Sequence, residues 1–214
     1  MKKELQKRIL SSIIIIPLSL FFIIKGSAFF ILFIIILFLI ACLEWFKMTK
    51  RYDFKLFGII FLLFSFYSVY LVRDKGLFEF LLILLICIST DIGGYIFGKT
   101  FKGPKLIKIS PNKTYSGVVG GFLMSIIVAY LFYAKYDNYF VVNQNFNSDL
   151  RFIIEVFLIS SVSQIGDLII SYFKRASNIK DTGNLFPGHG GLLDRIDGMI
   201  FAFPFIFIIS QILL

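Results

Sequence analysis

Three aspartates, Asp167, Asp194 and Asp197, lie near a run of cations in the C-terminal part of the chain: Lys174, Arg175, Lys180 and Arg195. Asp181 and the single histidine, His189, fall within the same stretch. Asp194 and Asp197 are three positions apart, which puts both on one face of a helix that starts near Leu193. Asp167 would meet them from the preceding helix. Carboxylates that converge in this way repel unless a cation sits between them, and hard oxygen donors suit Mg²⁺, which keeps waters and reaches toward phosphates. The same spacing also allows plain ion pairs, with Asp167 and Asp197 held by Lys174 or Arg195. The cations suit phosphate groups, arginine as a planar fork and lysine as a point charge. In Gly188-His-Gly-Gly191 the glycines would let backbone amides approach oxygens closely, or would simply make a turn. His189 would contact a phosphate or fix the loop by a hydrogen bond.

The elements that must carry these residues are membrane helices. The 214 residues are 58% hydrophobic, with 28 Phe, against about 45–50% apolar residues in soluble domains. The excess lies in long runs that are apolar all round, whereas barrel strands alternate every second residue. Backbone polar groups at bilayer depth must be satisfied internally, so the runs predict helices. Seven spans are expected, at 9–24, 28–46, 56–72, 77–97, 117–134, 152–173 and 196–214. No small-residue cleavage site follows the first, which reads as a retained span. Cys42 and Cys87 lie in apolar runs without CxxC spacing and read as packing residues.

Lys and Arg fix the expected orientation. With seven crossings, one side holds Lys2, Lys3, Lys7 and Arg8, then Lys47, Lys50, Arg51 and Lys55. It also holds the lysines of 98–116, and Lys174, Arg175, Lys180 and Arg195. Only Lys25, Arg73, Lys75, Lys135 and Arg151 fall on the other side, so the first side is cytoplasmic. A net charge of +9 is thereby explained by orientation and anionic headgroups, without nucleic acid. The expected architecture is an all-α integral membrane protein: one membrane domain, 1–214, a polytopic bundle with a polar cavity facing the cytoplasm. The segments 98–116 and 174–195 are its functional cytoplasmic loops. The Asn-rich 138–149 segment reads as a surface loop on the far side.

Charge continues from these loops into the spans. Asp91 is near the cytoplasmic end of the fourth, where it either lines the cavity or closes a polar contact, because a carboxylate at that depth is costly unless it is wet or paired. Glu44, Glu79 and Glu155 sit near span ends and are expected to snorkel to an interface. Gly94 and Gly98 form a small-residue face on the fourth span, which serves packing within the chain or a homodimer.

The stretch Ser171-Tyr-Phe-Lys-Arg-Ala-Ser-Asn-Ile-Lys-Asp-Thr-Gly-Asn-Leu-Phe-Pro-Gly-His-Gly-Gly-Leu-Leu-Asp-Arg-Ile-Asp197 closely resembles the signature of the phosphatidate cytidylyltransferase (CDP-diacylglycerol synthase) family. Gln164-Ile-Gly-Asp167, Ser110-Pro-Asn-Lys-Thr114 and Asp91-Ile-Gly-Gly-Tyr95 resemble further family segments. Two departures stand out: Ser116 occupies a position where many relatives carry Glu, and the chain is shorter at its N-terminal end than many members. The resemblance implies cytidylyl transfer from CTP to phosphatidic acid, giving CDP-diacylglycerol and pyrophosphate in a bacterial plasma membrane, with Mg²⁺ as cofactor and a second cation allowed. It assigns Asp167, Asp194 and Asp197 to the metal. Lys174 and Arg175 join these aspartates as catalytic residues. Lys113, Lys180, Asp181, His189, Gly190, Gly191 and Arg195 become substrate contacts.

Other classes fit less well. The carboxylate run of CDP-alcohol phosphotransferases is absent, since Asp197-Gly198 is followed by Met-Ile-Phe-Ala. A lipid kinase would use the same ions but release a nucleoside diphosphate. An ion-coupled transporter would spread charge through the bilayer instead of gathering it in one loop.

Overall fold

A computed structural model describes residues 2–107, 110–136, 148–185 and 190–212. Helix α1 (Lys2–Lys25) is followed by α2 (Ser27–Met48), α3 (Tyr52–Lys75) and α4 (Leu77–Phe101). The strands β1 (Lys105–Ile107) and β2 (Ser110–Thr114) come next, then α5 (Tyr115–Tyr136) and α6 (Ser148–Ala176). The one-turn helix α7 (Leu193–Ile196) and α8 (Met199–Ile212) complete the described chain.

The apolar runs are helical as expected. Among the described residues, five helices are long and apolar enough to cross a membrane: α2, α3, α4, α5 and most of α6. Side chains such as Ile35, Leu39, Phe57 and Leu131 stay exposed along them, and a surface of that kind needs hydrocarbon as its solvent. The first and last expected spans correspond to shorter apolar stretches, Ile15–Lys25 and Met199–Ile212. The described part of α8, 14 residues, is roughly 21 Å long at 1.5 Å per residue. The seventh helix also does not begin at 196: α7 ends there and Asp197-Gly198 separates it from α8.

One further expectation changes, and another lies largely outside the described residues. The 98–116 segment is not simply a loop, because α4 runs on to Phe101 and the rest forms an antiparallel hairpin that pairs Lys105 with Thr114 and Ile107 with Ser110. Of the 138–149 segment, residues up to 147 lie outside the described part, and α6 begins at Ser148.

Packing between helices depends on missing side chains. A Cβ on Gly93 would lie 2.4 Å from the Gly120 carbonyl oxygen, and one on Gly117 would lie 2.8 Å from that of Gly94. The Gly94/Gly98 face is therefore filled by α5 of the same chain. Between α6 and α8 the approach is as tight. A Cβ on Gly166 would stand 2.8 Å from the Asp197 carbonyl oxygen, and one on Gly198 would stand 2.2 Å from Ser163 Oγ. This closeness brings Asp167, next to Gly166, against Asp197.

Candidate functional site

The site is built at one end of the bundle, where the C-terminal ends of α2, α4 and α6 meet the hairpin and α7. The hairpin aims Lys113 inward: its Nζ lies 2.6 Å from Asp167 Oδ2 and 3.3 Å from the Gln164 carbonyl oxygen. The hairpin ends are tied together by Ser116, whose hydroxyl donates to the Lys102 carbonyl and lies 3.0 Å from Thr114 Oγ1. Ser116 thus has a structural place here. One turn beyond Asp167 on α6, Ser171 Oγ donates to Asp167 Oδ1 at 3.2 Å.

Asp167 and Asp197 lie within hydrogen-bonding reach of each other, and Asp91 is near enough to act on Asp197 electrostatically. Asp91 itself is exposed, which favours a place on the wall of the site over a closed polar contact. Asp194 does not complete a triad of carboxylates. Among the described residues no group of three or more His, Cys, Asp or Glu side chains is gathered at metal-ligand spacing.

Asp194 is instead enclosed by donors from its own loop. Lys174 Nζ lies 2.7 Å from its Oδ1, while the Thr182 and Gly191 amides donate to its Oδ2 at 2.8 and 3.0 Å. Burial raises the affinity of this carboxyl for a proton, but Lys174 and the two amides outweigh it and hold Asp194 below the usual carboxylate range. Lys174 also acts electrostatically on Asp167 and Asp197. The ion pairs differ from those the spacing suggested: Asp167 takes Lys113 and Lys174 takes Asp194, not Asp167 or Asp197.

A fifth carboxylate was missed by sequence reasoning. Glu44 does not snorkel. It is buried, and it accepts hydrogen bonds from Thr182 Oγ1 at 2.9 Å and from the Leu192 and Leu193 amides, each at 2.8 Å. The signal was present in principle, since a carboxylate within an apolar run is itself anomalous. Glu79 and Glu155 are half-buried, and Glu155 pairs with Arg151 at 3.1 Å.

The glycines of the signature make room for these carboxylates. Gly190 has φ +87°, and a Cβ there would meet Asp194 Oδ2 at 2.8 Å. At Gly191 a Cβ would lie 2.3 Å from Thr182 Oγ1 and 2.5 Å from Glu44 Oε2. The oxygens that this turn approaches belong to the chain's own acids. Arg175, Lys180, Asp181 and Arg195 stand exposed around this core. His189 and Gly188 lie outside the described residues.

Helices suited to the bilayer, with acids and cations from α2, α4, the hairpin, α6 and α7 drawn to one end, define a multi-pass membrane protein with an ionic site at its rim. The sequence model of the cytidylyltransferase family matches residues 54–213, and the chain belongs to that family. It is 37% identical to a phosphatidate cytidylyltransferase of Rickettsia felis over 98% of this chain and 93% of the relative. It is 36% identical to one of Rickettsia bellii over 100% and 94%. A Haemophilus influenzae protein of the same name is 40% identical over 61% of this chain and 44% of its own length.

Proposed function

We propose that this chain is a phosphatidate cytidylyltransferase, which joins phosphatidic acid to the cytidylyl group of CTP and releases pyrophosphate. The observation that carries this reading is the convergence of Lys113 and Lys174, from separate elements, on Asp167 and Asp194 in a chain similar over its whole length to relatives of that name.

An oxygen of the lipid phosphate forms a bond to the α-phosphorus of CTP, and the bond from that phosphorus to the bridging oxygen of the β-phosphate breaks. The electron pair leaves with pyrophosphate. A phosphate monoester has a second pKa of about 6 and is largely dianionic at neutral pH, so no side chain has to remove a proton. What remains is to hold polyanions together and offset their charge. Arg175, Lys180 and Arg195 bind the phosphates of CTP and lipid in this reading. Lys113 and Lys174 hold the acids in position and face the reacting groups.

The acids fit Mg²⁺. Two carboxylates within hydrogen-bonding reach need a proton or a cation between them, and Mg²⁺ is commonly held by one or two carboxylates plus substrate phosphates. Asp167 and Asp197 would hold it, with Asp91 alongside; Asp194 would remain with Lys174. Bound there, Mg²⁺ would offset charge on the transferring and leaving phosphates.

In the membrane, we place all seven apolar segments across the bilayer, with the N-terminus and a polar cavity on the cytoplasmic side, as the lysine distribution favours. The membrane is the plasma membrane of a bacterium.

Labelled CTP and phosphatidic acid in detergent micelles test the reading. Lipid-soluble label and pyrophosphate should appear with Mg²⁺ and vanish with a chelator, and Asp197→Asn should raise the Mg²⁺ requirement by roughly tenfold or more. Absence of lipid label under every divalent ion would sink the assignment, and release of CDP in place of pyrophosphate would make the protein a kinase.

A further inference from the structure

Behind the ionic site lies a cleft of about 690 Å³, walled by α1, α2, α3, α4 and α8. That volume falls within the ~300–1,000 Å³ of small-molecule sites. Its chemistry is one-sided. Among the described residues that line it, Arg195 is the only charged one. The two serines of the wall have their hydroxyls committed, Ser65 to the Ile200 carbonyl at 2.7 Å and Ser19 to that of Ile15 at 2.8 Å. A nucleotide, a pyrophosphate or a headgroup would be stripped of water there without compensation.

The cleft has a direction. Its lining on α2 runs from Phe30 to Ile40, roughly 15 Å at 1.5 Å per residue. That length is about half of a ~30 Å hydrocarbon core, the depth of one leaflet. Ile40 is one turn from Glu44, whose carboxylate receives the Leu192 and Leu193 amides. Leu192, Arg195 and Ile196 line the cleft at that end. At the other end, Phe30 and Phe80 meet edge to face at 5.7 Å and Phe80 meets Phe203 at 5.0 Å, forming an aromatic floor.

We infer that this cleft holds one acyl chain of the lipid phosphate, with the phosphate at Arg195 and the chain running toward Phe30, Phe80 and Phe203. The inference rests on the proposed cytidylyl transfer. It adds a reason why the cation of the signature sits where polar and apolar surfaces join: a guanidinium there pairs with the phosphate while the hydrocarbon is buried.

Filling the cleft provides the test. Leu84→Trp and Val69→Phe each add bulk to its wall, away from Arg195 and the other residues of the ionic site. kcat/KM is measured with dioleoyl and with dihexanoyl phosphatidate, at saturating CTP, for both variants and the native chain. The expected result is a loss of roughly tenfold or more for the dioleoyl substrate, with the dihexanoyl substrate changed less than about twofold. Phe30→Ala, which opens the floor, should favour longer chains. Equal loss for both substrates, or no change for either in the two filling variants, would overturn the inference; the second result would leave the cleft to a bystander lipid. If the native chain labels neither substrate, the failure lies in the cytidylyltransferase reading instead.

Discussion

Glu44 on α2 and Thr182 in the loop after α6 are joined by a 2.9 Å hydrogen bond across 138 positions of sequence. The same carboxylate receives the Leu192 and Leu193 amides, so one buried acid holds the chain just after Lys180 and Asp181 and again at Leu192 and Leu193. It also fixes the entry to α7, and with it Asp194 and Arg195.

Removing that acid should disorganise the loop without disturbing the bundle. A hydrogen bond to a charged group contributes about 1.5–3 kcal/mol, and Glu44→Gln turns two acceptor oxygens into one acceptor and one donor facing amides. We expect kcat/KM to fall roughly 10–100-fold, chiefly through a higher KM for CTP, with faster amide exchange confined to 182–193. Unchanged exchange in that segment would show that Glu44 does not hold it.

Lys174 and Asp194 should behave as a unit. Losing one partner of a buried pair leaves an uncompensated charge and costs about 3–5 kcal/mol, so Lys174→Met should strongly lower thermal stability in detergent. Lys174→Met combined with Asp194→Asn should recover most of that stability while activity stays low, because Lys174 also faces Asp167 and Asp197. Recovery of both stability and turnover in the double variant would reduce Lys174 to a structural role.

The pH dependence of stability follows from Asp194. Its proton affinity is lowered by folding, so the charged form is favoured in the native state. The stability it contributes is full above the unfolded pKa of about 3.9 and is lost as pH falls through the lower native value. The difference in melting temperature between the native chain and Asp194→Asn should therefore be largest near neutrality and shrink on acidification below about pH 4. A difference that grows with acid would contradict this.

Gly198→Ala tests the close approach of α6 and α8. Its Cβ would lie 2.2 Å from Ser163 Oγ, and forced repacking of this kind typically costs about 1–3 kcal/mol. Moving α8 also moves Asp197 from Asp167, so turnover should drop more than stability. Ser163→Ala in the same chain relieves the contact and should restore part of both. No effect of Gly198→Ala on turnover would disconnect this packing from the site.

The membrane character was legible in residue order, because a helix that is apolar all round requires no partner to be recognised. The signature from Ser171 to Asp197 was equally legible: its residue types and spacing sufficed to indicate phosphate chemistry and the family. Partnership was not legible. Asp194 and Asp197 share a spacing that predicts a common face, yet Asp194 is taken up by Lys174 while Asp197 lies against Asp167. Glu44 looked like an interfacial acid because its donors lie more than a hundred positions away. Those pairings depend on how closely two helices can approach, at Gly166 and Gly198 above all, and on which amides a folded loop leaves pointing inward. Both are properties of three-dimensional packing, where a buried charge takes the nearest available donor whatever its distance along the chain.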